Sequence, residues 1–223
     1  MKPKMRPRAA RAHGLLTAAG ALLAGGALLL LSLLPGVPSE AAELTAWVDS
    51  GRSLLSWSDE LVFFAVVCWG AGARGLFGGR RTERSVRIDI GMTALAVANV
   101  ALVVLLLVVG RLVYPVFGIH LSPEVLALLI SSTFGALHLA LLGFAVAAPA
   151  LSWTTRSGLT GRVVGIAAAA VFLVGSFPWL TPNWWNALVA VLLAGWGVFL
   201  GLVGVTTPSA RLDFGHPLPA TGL

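Results

Sequence analysis

The chain has 223 residues, a formal charge of +6 and 57% hydrophobic residues, with only 11% charged. A soluble domain carries about 25% charge, and the apolar residues here stand in long blocks, not at the spacing of half-buried elements. That excludes a soluble globular fold, and the single cysteine, Cys68, excludes an internal disulfide or a CxxC metal or redox motif.

The basic residues lie between the apolar blocks and in the leading tail, so they read as topology and not as a nucleic-acid surface. Thirteen Arg against two Lys, with abundant Ala, Gly and Val, point to a GC-rich bacterial genome.

Residues 1–13 carry Lys2, Lys4, Arg6, Arg8 and Arg11 with no acid among them. Their prolines discourage helix, and a disordered cytoplasmic tail held near anionic headgroups is expected. The first span follows at 14–34, uncharged and longer than the apolar core of a signal peptide, so an uncleaved span is preferred. Between residues 35 and 60, Glu40, Glu43, Asp49, Asp59 and Glu60 face a single Arg52. Leu44, Trp47, Val48, Leu54 and Leu55 recur at helical spacing within that stretch, which predicts a short amphipathic helix over 41–57 lying on the outer surface.

The second span, 61–79, is the weakest, because Arg74 interrupts it and five glycines thin it. Ala71-x-x-x-Gly75 and Gly75-x-x-x-Gly79 permit close helix approach, and a re-entrant hairpin is the alternative. A basic turn with Arg80, Arg81, Arg84 and Arg87 leads to the third span, 90–110, and a short loop to the fourth, 125–148. The fifth, 163–180, ends at Pro178-Trp179, and Trp184-Trp185 precede the sixth, 186–206, where Gly197-x-x-x-Gly201 offers a packing face. A flexible cytoplasmic tail is expected over 207–223.

The expected fold class is therefore all-α: a polytopic transmembrane helical bundle of about six spans plus the surface helix. Thirteen Lys and Arg fall on one side of this arrangement and two on the other. The positive-inside rule then places both termini in the cytoplasm of a cell-membrane protein.

Three polar residues stand out. Asn99 and His138 occupy the middle of neighbouring antiparallel spans, level to within about one turn. An interhelical hydrogen bond between them is the plain expectation, and a mid-membrane proton or ligand site is the functional one. Arg74 could reach similar depth and bind an anion, although snorkelling to the headgroups is the commoner behaviour.

Absent motifs narrow the chemistry. There is no HExxH, no Walker A sequence and no second deep histidine to pair with His138 around a haem. No catalytic residue, metal or cofactor is expected. The lipid bilayer is the first partner, with another membrane protein or a second copy of the chain as further ones, and nucleic acid is not expected. The sequence is read first as a structural or accessory, partner-binding membrane subunit. The alternative is a small transporter or permease with a polar site around Asn99 and His138.

Overall fold

A computed structural model describes residues 7–78, 86–114, 116–153 and 158–206. Six α-helices account for most of them: α1 (Pro7–Ser32), α2 (Leu44–Gly78), α3 (Val86–Val113), α4 (Pro123–Ser152), α5 (Leu159–Gly175) and α6 (Asn183–Thr206). One 3₁₀ turn, Ala41–Glu43, leads into α2. Five helices are long and apolar enough to cross a membrane, and α5, at 17 residues, is not. The chain is thus a multi-pass helical membrane protein.

The helices pack in a ring in chain order, each antiparallel to the next, and α6 closes the ring on α1. One end of the ring is rich in acids (Asp49, Asp59, Glu60, Glu124), and the other carries Arg11, Arg74, Arg87 and Arg162. These are called the acidic and basic ends below.

The α1 helix is the hub of one half. Its buried positions, Gly14, Thr17, Ala21, Ala24 and Ala27 among them, are small, so two neighbours approach its backbone closely. A Cβ added at Gly25 would lie 2.7 Å from Ala190 O on α6, and one at Gly20 would lie 2.7 Å from Trp69 N on α2. Gly197 and Gly201, the expected packing face of the last span, both press on α1. On α2 the tight approaches are Gly72 against Thr17 and Gly75 against His13, whereas Ala71 is exposed and Gly79 lies outside the described residues. The helix of α1 starts at Pro7, so the second half of the expected disordered tail is ordered. Proline at a first helical position costs no hydrogen bond, because that N–H has no partner in the helix anyway.

The largest departure from expectation is α2. The expected surface helix over 41–57 does form, but it does not end; it runs into the second span as one helix of 35 residues, about 52 Å long. The re-entrant hairpin is excluded with it. Leu44, Val48, Gly51, Leu55, Ser58, Val62, Ala65, Trp69, Gly72 and Leu76 are all buried, at spacings of four and three in strict alternation. An unbroken 3.5-residue seam keeps one face on the bundle throughout, and Asp49, Arg52, Ser53 and Trp57 are carried on the outside of it. On α3 the same alternation runs through Gly91, Leu95, Ala98, Leu102, Leu105, Val109 and Leu112.

Side chains close the helix ends. Ser122 caps α4 by accepting from Val125 N, with Pro123 at the first position. Arg52 donates from Nη1 to Val113 O, the open carbonyl end of α3, at 2.6 Å and pairs with Asp49. Asn183 Nδ2 donates to Leu34 O at 3.2 Å, tying the start of α6 to the end of α1. At the basic end the Arg87 guanidinium lies over the Trp153 ring at 5.1 Å.

The fifth helix ends five residues before the expected limit of its span, at Gly175. Its 17 residues rise about 25 Å, short of a hydrocarbon layer of about 30 Å. Residues 176–182 form turns, with Leu180 N and Thr181 N both donating to Phe177 O. The proline at 178 cannot continue the helix.

Candidate functional site

The early stop of α5 shapes the centre of the molecule. Residue 165 of α5 abuts Ala148 and Pro149 near the basic end of α4, so the last turns of α4 pack beside the first turns of α5 there. At the other end α4 continues for fifteen residues beyond His138, and α5 has already stopped. The acidic half of the ring is one helix short, and a cavity of about 440 Å³ occupies that half.

Every helix except α5 contributes to its wall. Leu28, Leu55, Leu112, Ile130, Leu141 and Val189 are among its apolar lining residues. Pro178 and Trp179, from the turns that follow α5, close the side where the helix is missing. The exposed lining residues Pro35, Gly36, Val37, Trp179 and Asn183 mark the mouth at the acidic end. No lining residue is charged.

Towards the basic end the core holds an aromatic layer, whose four rings are not among the residues lining the cavity. Trp69 of α2 is stacked on Phe144 of α4, with centroids 4.9 Å apart, and lies 5.9 Å from Trp196 of α6. Phe172 of α5 completes the layer, 6.0 Å from Trp196 and 6.3 Å from Phe144. Trp69 and Trp196 are 0% and 2% exposed, so the layer belongs to the packed core where four of the six helices meet. Trp196 Nε1 donates to Ser152 Oγ at 3.0 Å, which satisfies a buried indole N–H. The Trp-Gly pairs at 69–70 and 196–197 thus place two rings in one layer.

The three residues singled out in the sequence are not brought together. His138 is half-buried, and its Nδ1 pairs with the main-chain carbonyl of Ser176, not with Asn99. That carbonyl is one of the four a helix leaves open at its C-terminus. An Nδ1–H donor leaves Nε2 as an acceptor. The imidazole also meets Phe177 and Trp179 at 5.0 and 5.6 Å between centroids, so His138 holds the cavity wall in place from outside. The expected partner was Asn99; the observed one is a backbone group, which no inventory of polar side chains would reveal.

Asn99 is near the expected level, since its neighbour Ala98 faces Gly143. It lies one residue off the α3 seam, however, and its Oδ1 is buried without a hydrogen-bond partner. Rotation about the helix separates the two side chains. Arg74 is exposed and sits beside Gly75, which packs on His13 at the basic end, so it is not at mid-depth.

Two features were missed. One is the cavity itself. The other is Asp59, assigned to a loop but in fact 7% exposed on α2 opposite Gly110, with Oδ1 unpartnered. Its neighbour Glu60 points outward and accepts from the Tyr114 hydroxyl at 3.1 Å. Among the described residues no group of three or more His, Cys, Asp or Glu is placed to hold a metal.

The class defined by these observations is a ring of membrane helices with one short member and an uncharged, mainly apolar chamber. No protein-family model, curated protein or solved structure matches the chain.

Proposed function

We propose that the protein is a binding subunit of a bacterial cytoplasmic membrane, with both termini inside and the chamber open to the outer side. The excess of Lys and Arg towards the basic end supports this orientation. The observation that carries the binding role is the uncharged chamber itself. Its volume of about 440 Å³ lies within the 300–1,000 Å³ range of small-molecule sites, and its lining is apolar apart from the side chains of Ser32, Thr133, Thr181, Asn183 and Asn186 and the indole N–H groups. Such a chamber suits capture or sensing, in the manner of an accessory or partner-binding subunit.

A second reading, a small transporter with a site around Asn99 and His138, is favoured by the unpartnered Asn99 Oδ1. One experiment separates the two. Thr133 lines the chamber. In a Cys68→Ala background, Thr133→Cys should react with a membrane-impermeant maleimide added outside sealed spheroplasts, and not with reagent confined to the inner side. Labelling from both sides would establish an alternating or through path and support transport. Labelling from neither would remove the chamber as a binding site.

A further inference from the structure

We infer that the chamber takes an apolar chain carrying an uncharged hydrogen-bonding head, an alcohol or amide, with the chain in the apolar interior and the head at the mouth. This inference rests on the chamber being open to the outer side.

Size comes first. A 150 Å³ apolar cavity holds benzene; the chamber is about three times larger and on that scale accepts about 18 non-hydrogen atoms.

Polarity then orients the chain. Two polar side chains in the wall have already spent their hydroxyls within their own helices: Thr133 Oγ1 donates to Leu129 O and Ser32 Oγ to Leu29 O. Neither requires anything from a ligand. Trp47 Nε1 is likewise used on Pro35 O. The spare capacity is at the mouth. Asn186 accepts from Thr181 Oγ1 through Oδ1, which leaves its amide N–H₂ to donate. Asn183 donates Nδ2 to Leu34 O, which leaves its Oδ1 to accept.

One amide donor and one amide acceptor at the rim, above an apolar chamber, match a head that both accepts and donates. With no charged residue in the lining, a carboxylate or ammonium would find no counter-charge there and could use at most one of the two amides. The head that the rim fits is therefore neutral.

The test uses the full-length Thr133→Cys, Cys68→Ala protein in nanodiscs and reads the rate of maleimide labelling at residue 133. A neutral monoacylglycerol should slow labelling by about tenfold or more at saturation. The fatty acid anion and the alkyltrimethylammonium of equal chain length should slow it much less. Asn186→Leu should weaken monoacylglycerol protection, read as the ratio of protected to unprotected labelling rate within the same variant. Equal protection by charged amphiphiles overturns the neutral-head assignment. Absence of protection by any of them, with residue 133 still labelled from outside, overturns the ligand class and leaves the chamber standing. Absence of labelling from outside overturns the chamber, and this inference with it.

Discussion

His138 on α4 and Ser176 at the end of α5 are joined by a hydrogen bond from the imidazole to a main-chain carbonyl, 38 residues apart in the chain. The bond lies where the short helix stops, so a side chain from the longer neighbour satisfies a backbone group that would otherwise face apolar surroundings. An open carbonyl in that setting is costly, and this sets the scale of the first prediction.

Replacing His138 with Leu should lower stability in detergent by about 1 kcal/mol, the range of intramembrane hydrogen bonds. His138→Gln retains a donor and should recover most of the loss. Thermal unfolding of the three proteins side by side checks this. Equal stability of all three would mean that the bond contributes nothing.

Asn99 and His138 share no hydrogen bond, so their substitutions should be additive. A cycle of His138→Gln, Asn99→Leu and the double variant should close within about 0.5 kcal/mol. Asn99→Leu alone should be neutral or stabilising, because it removes a buried acceptor that has no partner. A coupling energy well above that limit would place the two side chains in contact.

The glycines divide into two sets with opposite expectations. Gly25→Leu pushes a side chain into Ala190 and Ala194 of α6 and should destabilise the protein by about 1–3 kcal/mol or open the ring. Gly135 faces open space on α4, and Gly135→Ala should be neutral or stabilise by about 0.5–1 kcal/mol. Size-exclusion profiles and thermal unfolding of both variants provide the comparison.

Asp59 is the buried acid without a full set of partners. Asp59→Asn halves the problem by removing the charge, and should raise stability at neutral pH by about 1 kcal/mol or more. Gly110→Ala sets a methyl 3.4 Å from the Asp59 carboxylate, close to ordinary contact, and should change little. A loss of stability in Asp59→Asn would show that the carboxylate makes an interaction which the asparagine cannot.

Much of this architecture was legible in the sequence. The apolar runs at 14–34, 90–110, 125–148 and 186–206 each lie within or close to a helix, because an uncharged run of that length has few alternatives in a bilayer. The unity of α2 was hidden. Asp49, Arg52, Asp59 and Glu60 interrupt its apolarity, while the seam that holds it together, from Leu44 to Leu76, is a matter of spacing and not of mean hydropathy. The end of α5 was masked in the opposite way, since Phe177, Trp179 and Leu180 extend an apolar run after the helix has stopped. The cavity follows from a difference in length between two helices, which appears only when they are laid side by side.

The orientation argued above can be measured directly. Reporter fusions at residue 223 should be active only in the cytoplasm, and insertions at Val37 only outside. A reporter at residue 223 active on the outer side would reverse the placement of the chamber and make the inner leaflet the source of its ligand.

The closure of α1 on α6 has a consequence for biosynthesis. The two helices meet along most of their length, yet about 170 residues separate them in the chain. Chains emerge from the ribosome N-terminal end first. The small-residue face that α1 presents to α6 must therefore wait in the bilayer, uncovered, while four further helices are made and inserted. During that interval Gly14, Ala18, Ala21 and Gly25 form a smooth strip that any other helix with small residues can occupy. Nascent chains stalled before residue 183 should on this account be the ones that mispair, and completion of the last helix is the event that commits the molecule to its own ring.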